Sequence, residues 1–297
     1  MSEVYAFLLM NGIGIGLIYF LLAVGMTIVF SLVGFVNFSH GAMYMVGAFL
    51  AYTCASLGIG FWSSLIIVPL AVALLGVVVE KVLLKHAYRL EHDVQILLTF
   101  GITIIISELT LVAWGPIAKN VPTPVELSGI VAILSFHYPV YRIFVIAVVL
   151  AFTALLWFSV ERTRMGAVLR AGSESAEMVQ LLGINVYRAF SLTFALAACL
   201  AGLAGVLAAP LRGADLAMGA EALGIAFVVS VIGGLGSFAG AFWGSVLVGI
   251  VQSFMSTFWP ESAKVAIYLF MTLVLLMRPR GLFGRDRKAS CRERVCT

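Results

Sequence analysis

VYAFLLMNGIGIGLIYFLLAVGMTIVFSLVGFVNFSHGAMYMVGAFLAYTCASLGIGFWSSLIIVPLAVALLGVVV, residues 4–79, contains no Asp, Glu, Lys or Arg. In these 76 residues His40 is the only titratable side chain apart from Tyr and Cys. No aqueous domain can be built from such a run. As a helix rising about 1.5 Å per residue it reaches about 114 Å, whereas the hydrocarbon core of a bilayer is about 30 Å thick. The run is therefore long enough for three crossings with turns. The polar residues at 37–41 and the glycines at 58–60 divide it into spans at 12–34, 41–57 and 61–80.

The rest of the chain follows the same pattern. Of 297 residues, 62% are apolar and 11% charged, with a mean hydropathy of +1.11. Soluble domains run at about 45–50% and about 25%. Further spans are expected at 94–114, 139–160, 189–210 and 264–277. The uncharged run 222–260 has 39 residues, about 58 Å as helix, which is barely two crossings. Gly233, Gly234 and Gly236 lie in its middle, so two thin, broken helices meeting at a glycine turn are expected there. The expected fold is thus all-α, a polytopic transmembrane helical bundle of about eight to nine spans, some of them broken. Residues 1–284 are expected to form a single transmembrane domain. The tail 285–297, RDRKASCRERVCT, reads as disordered or as an appended scar and is set apart from the fold.

Charge placement orients the chain. Lys81, Lys85 and Arg89 lie in one connection, four arginines in 161–188, and Arg278, Arg280, Arg285, Arg287 and Lys288 at the end. The alternate connections hold only Lys119 and Arg212. Basic loops stay on the cytoplasmic side, so the C-terminus is expected inside. The N-terminus is then outside with nine crossings, or with seven if 222–258 only dips in and returns. The same placement accounts for the net charge of +4 without a nucleic-acid partner. Cysteine spacing matches no metal site, and Glu91-His92-Asp93 reads as a solvated loop, so no metal is expected.

One connection is unlike the others. ERTRMGAVLRAGSESAEMVQLLGINVYR, residues 161–188, is polar, and the residues that follow it from Ala189 to Leu211 carry no charge. Ser173 suits an N-cap, and Glu174 and Glu177 suit the positive end of a helix. Met178, Leu181 and Leu182 stand at helical spacing beside Ala176, and Gly183 ends the helix. An amphipathic helix held between spans offers a handle to a soluble partner. Its polar face mixes acids with serines and has no lysine, which favours protein docking over lying on lipid.

Four motifs in order resemble one family. They are Asn37-Phe38-Ser39-His40-Gly41 with Gly47-Ala48; Arg170-Ala171 through Leu181-Leu182-Gly183-Ile184-Asn185; Val231-Ile232-Gly233-Gly234-Leu235-Gly236-Ser237 with Gly240 and Gly244; and Arg278-Pro279-Arg280-Gly281-Leu282-Phe283-Gly284. Together they resemble the branched-chain amino acid permeases of ABC importers, in particular the LivH-type subunit. The tail beyond Gly284 departs from that pattern. The resemblance implies an inner-membrane subunit of a bacterial ATP-driven importer for branched-chain or other hydrophobic amino acids. It implies a second, similar permease, two ABC ATPases that dock on 173–183, and an external substrate-binding protein. ATP and Mg would sit on the ATPases and no cofactor on this chain, which catalyses no bond making or breaking. In agreement, the chain has no GxxxxGK[ST] phosphate loop and no Gly-Lys dipeptide.

Two rivals remain at this stage. A passive channel, or an ABC permease for urea or short amides, also fits broken helices with polar turns. A secondary transporter would want more intramembrane acids than Glu108. Asn37, Ser39 and His40 either line the path or satisfy backbone groups freed by a helix break. Glu108 is a path candidate, or one half of a structural pair. Gly236, Gly240 and Gly244 at intervals of four bring helices together. The break at 37–41 and that at 236–240 leave an internal repeat and coincidence as open readings.

Overall fold

The computed structural model describes residues 2–88, 91–133, 136–163, 166–168, 171, 176–181, 183, 186–279 and 281–283. The described chain is helical, as the sequence predicts. It begins with α1 (Ser2–Val33), α2 (Ser39–Ser56) and α3 (Phe61–Val79), the last running on through a π turn at Glu80–Leu84. After α4 (His92–Trp114) comes a short antiparallel hairpin, β1 (Ile130–Ile133) and β2 (Phe136–Pro139), in which Val131 pairs with Tyr138. Then follow α5 (Val140–Arg162), α6 (Ala176–Leu181), α7 (Val186–Arg212), α8 (Met218–Gly233), α9 (Phe238–Phe258) and α10 (Ala263–Met277).

Seven of these helices are long and apolar enough to cross a membrane: α1, α3, α4, α5, α7, α9 and α10. The sequence predicts eight to nine spans, and the difference lies in α2 and α8. α8 has 16 residues, about 24 Å, and falls short of the core thickness. α2 has 18 residues but begins partway along α1, where His40 meets the Leu22 carbonyl. α1 also starts ten residues before the expected 12, because 4–11 is apolar and nothing there interrupts a helix. The hairpin departs from a purely helical reading. Its β-branched Ile130, Val131 and Ile133 favour a pleated conformation, in a connection whose Pro116, Pro122 and Pro124 with Lys119 and Glu126 rule out another apolar span.

α1 and α7 form the centre. Their apolar windows are 83% and 78% buried, against 17% for α5 and α10, so the latter lie at the periphery. α9 runs against α1, and Phe20 meets Phe238 and Phe242 edge-on with centroids 5.5 and 5.4 Å apart. α2 and α3 pack along α7. Trp114, at the end of α4, donates from Nε1 to Thr53 Oγ1 on α2 at 2.8 Å. The connections 115–129 and 213–217 are joined by paired Lys119 and Ala214 backbone bonds of 2.8 Å, so both lie at one end of the bundle. Those are the connections poor in Lys and Arg.

The glycine turn closes on itself. α8 ends at Gly233, and Gly234 and Gly236 take positive φ of 97° and 88°. A Cβ on Gly240 would lie 2.1 Å from the Gly233 carbonyl oxygen, so α8 and α9 cross with backbones in contact. Residues 282 and 283 then cover this turn. Leu282 N–H donates to the Ile232 carbonyl at 2.8 Å and Phe283 N–H to that of Gly233 at 3.0 Å. Two of the carbonyls that a helix C-terminus leaves without intrahelical partners are thereby satisfied.

Candidate functional site

Between α1, α2, α5, α7 and α9, at the end of the bundle that carries 115–139 and 213–217, lies a cavity of about 240 Å³. Arg142 from the first turn of α5 and Arg212 from the last turn of α7 supply two cations to its wall. α1 contributes Asn11 and Tyr19, α2 contributes Tyr44, and Gln252 comes from α9. Ile15, Ile18, Val145 and Leu211 form an aliphatic side.

Its polar groups are held in place from several helices. Arg142 Nη1 donates to Asn11 Oδ1. Asn11 Nδ2 donates to Ser253 Oγ at 3.2 Å, and Ser253 donates to the Leu8 carbonyl at 2.8 Å. This relay ties α5 to α1 and α9. Arg212 Nη2 lies 2.9 Å from Glu221, whose other oxygen takes Lys264 Nζ at 2.7 Å. Gln252 Oε1 is buried and has no hydrogen-bond partner among the described residues. Among the described residues no carboxylate lines the cavity.

Sequence reading missed this site. Arg142 lies inside the expected span 139–160 and Arg212 in a connection, neither within a motif, and the polar residues Asn11 and Gln252 are 241 positions apart in apolar helices. Only the antiparallel packing of α1 on α9 brings them together. The one legible signal was polar residues within otherwise apolar spans, which usually face the bundle interior.

The sequence candidates fall elsewhere. Asn37 Oδ1 accepts from Ser39 N at 3.1 Å and from Ser39 Oγ at 2.7 Å. His40 Nε2 donates to the Leu22 carbonyl at 3.0 Å. All three side chains are buried and engaged in these local bonds, around a cavity of only about 10 Å³ with Gly76, Phe194 and Ala198. His40 approaches α1 through Gly25, where a Cβ would meet His40 Cε1 at 2.8 Å. Glu108 is exposed on α4, on a face with Ile104, Ile105, Leu109 and Val112. Among the described residues it makes no hydrogen bond or ion pair, and it is not among the residues that line either cavity. Gly233, Gly240 and Gly244 pack within the chain, Gly244 against Val229 and Gly233.

In the polar connection, α6 covers Ala176–Leu181 and Gly183 takes φ of 77°, its N–H bonding the Gln180 carbonyl at 2.9 Å. Leu181 is 82% exposed, whereas Val179, which the sequence did not single out, is buried. Ser173, Glu174 and Leu182 lie outside the described residues, as do the side chains of Ala176, Glu177 and Met178 and the tail 285–297.

A second buried polar group also escaped the sequence. Glu80, 1% exposed, opens the π turn of α3 and accepts from Tyr88 Oη at 2.9 Å and Ser191 Oγ at 2.6 Å. Burial first, and then the neighbouring Glu80, push the Tyr88 phenol well above its usual range, so it remains a donor. Ser191 is in the second turn of α7, directly after the polar connection. Glu80 therefore fastens α3 to the end of α7 opposite the larger cavity. No group of acids, histidines or cysteines among the described residues is arranged to hold a metal.

Comparison with known proteins gives this geometry a context. The family described as branched-chain amino acid transport system / permease component matches residues 8–277. The chain is 30% identical to the high-affinity branched-chain amino acid transport system permease protein BraD of Pseudomonas aeruginosa, over 96% of this chain and 98% of that one. It is 28% identical to the corresponding permease protein LivH of Salmonella typhimurium, with the same coverage. With the permease protein LivM of Escherichia coli it shares 27% identity, over 91% of this chain and 69% of LivM. Among solved structures, PsaBC from Streptococcus pneumoniae in complex with Fab matches with a TM-score of 0.53 at 13% identity, over 96% and 94% of the two chains, a likeness of fold. Seven long apolar helices, the glycine-turned helix pair and a family match over 8–277 lead to one conclusion: the chain belongs to the permease components of branched-chain amino acid transport systems.

Proposed function

We propose that the chain is one of two permease subunits of an ATP-driven importer in the bacterial inner membrane, moving branched-chain or related hydrophobic amino acids inward. The observation that carries this reading is the course of α7. Its 27 residues extend about 40 Å, from the polar connection that contains α6 to Arg212 at the cavity. A displacement at one end of such a rod is delivered to the other. In this reading the connections that bear 161–188 and the C-terminus face the cytoplasm, and the cavity faces outward. Two ATPases dock on the segment 173–183, where Leu181 is exposed and Gly183 ends the helix. ATP and Mg stay on those subunits. An external binding protein delivers substrate at the cavity mouth, and the spans alternate between outward and inward access.

The Glu108 face of α4 supports a second permease chain. A carboxyl among Ile104, Ile105, Leu109 and Val112 is costly against lipid, and intramembrane acids usually face protein or water.

The test is reconstitution. The chain, a second permease, candidate ATPases and binding protein are assembled in liposomes and assayed with labelled leucine and labelled urea. ATP-dependent leucine uptake is expected. Leu181→Asp and Gly183→Val should abolish uptake and co-purification of the ATPases, since Gly183→Val imposes a left-handed conformation that costs about 1–2 kcal/mol. Urea flux that continues in those variants without ATP would instead identify a channel.

A further inference from the structure

We propose that the outer cavity is a binding site for a zwitterionic α-amino acid with an aliphatic side chain, in which Arg142 and Arg212 take the carboxylate and the Gln252 amide oxygen takes the ammonium group. This rests on the cavity being part of the transport path, and it assigns residues to chemistry that the family relationship leaves unassigned.

Charge is the first argument. Among the described residues two guanidiniums line the cavity and no carboxylate does. Glu221 does not cancel them, because it is shared between Arg212 and Lys264 and stands outside the lining. A guanidinium has five N–H donors. Arg142 engages Asn11 and Tyr138, and Arg212 engages Glu221 and Tyr44, so of five donors each retains some. Cations so placed attract an anionic group and repel metal cations and amines that lack one.

The second argument is the orphan acceptor. A buried amide oxygen without a partner is costly, and a ligand that supplies N–H groups removes that cost. Gln252 Oε1 is such an atom, on α9, while Arg142 and Arg212 come from α5 and α7. Donor and acceptor functions thus converge on one space from different helices. An ammonium and a carboxylate on a single carbon would meet both.

The third argument is shape. Ile15, Ile18, Val145 and Leu211 offer an aliphatic surface that suits a branched alkyl group. The cavity, at about 240 Å³, has room for a solute of the size of a single amino acid. The Asn11–Ser253–Leu8 relay fixes Arg142 in advance, so little side-chain ordering is left for the ligand to impose.

Equilibrium binding to the reconstituted complex, without binding protein, tests this with three probes: L-leucine, isocaproate (which lacks the ammonium) and isoamylamine (which lacks the carboxylate). Leucine should bind, and each truncated probe should bind about tenfold to a hundredfold more weakly. Arg142→Gln and Arg212→Gln should weaken leucine by a similar factor and should not weaken isoamylamine, whose ammonium the guanidiniums repel. Gln252→Leu should weaken leucine and leave isocaproate unchanged. A merely structural role would move all three probes together. Gly14→Val, at a position where a Cβ meets nothing closer than 3.7 Å, should intrude on the cavity and reduce leucine binding without touching a charged residue. The proposal is overturned if wild-type complex binds no leucine, if the three probes bind alike, or if the variants affect them equally. Should the complex still import leucine with ATP in those cases, the importer reading stands and only this assignment falls. A complex that imports nothing with binding protein present removes the importer reading itself.

Discussion

Glu80 illustrates how one side chain can set a local geometry. It is a buried acid whose two oxygens accept from the Tyr88 and Ser191 hydroxyls. π turns cost regular hydrogen bonding and recur at functional places. Replacing Glu80 by Leu should lower stability by about 1–3 kcal/mol for each hydroxyl that burial leaves unpaired. Glu80→Gln keeps an acceptor and should lose less. Thermal denaturation of the purified protein in detergent distinguishes the two, and equal losses would show that packing, not the hydrogen bonds, is at stake. At this scale the sequence was least informative. His40 and Asn37 drew attention as polar residues in an apolar run, yet both are engaged in local bonds. Asn11, Arg142 and Gln252 carried no local signature, because their relation exists only after α1, α5 and α9 have packed.

At the scale of elements the sequence was far more legible. The break at 37–41, the turn at 58–60, the glycine turn at 233–237 and the end of the last span were all readable, since apolar length and turn residues are local properties. What eluded reading was which helices cross fully, because α2 and α8 depend on where their starts are pinned by neighbours. The closeness of α8 and α9 makes a sharp prediction. Gly240→Val places a branched side chain where even a Cβ lies 2.1 Å from the Gly233 oxygen. The hairpin should open, and the yield of protein extractable in folded form from membranes should fall severely. Gly101→Ala on α4, where nothing lies within 4 Å, should leave yield intact and serves as the control.

For the whole molecule, fold class followed from composition, whereas the exposed surface of the bundle did not. Glu108 was read as an interior acid; in the structure it lies on an outward face of α4. If a second permease covers that face, Glu108→Leu should weaken co-purification of the two permeases. If lipid covers it, the same change should leave assembly untouched and raise thermal stability. Pull-down of the tagged pair together with a melting curve separates these outcomes.

Residues 282 and 283 seal the α8–α9 turn with two backbone bonds, and this bears on how the fold is assembled. During synthesis the hairpin emerges first and must wait with the Ile232 and Gly233 carbonyls uncapped until 282 and 283 leave the ribosome. A prematurely terminated product keeps that defect permanently. Removal of 282–297 should therefore leave both carbonyls open and loosen the turn, whereas removal of 285–297 alone should spare both bonds.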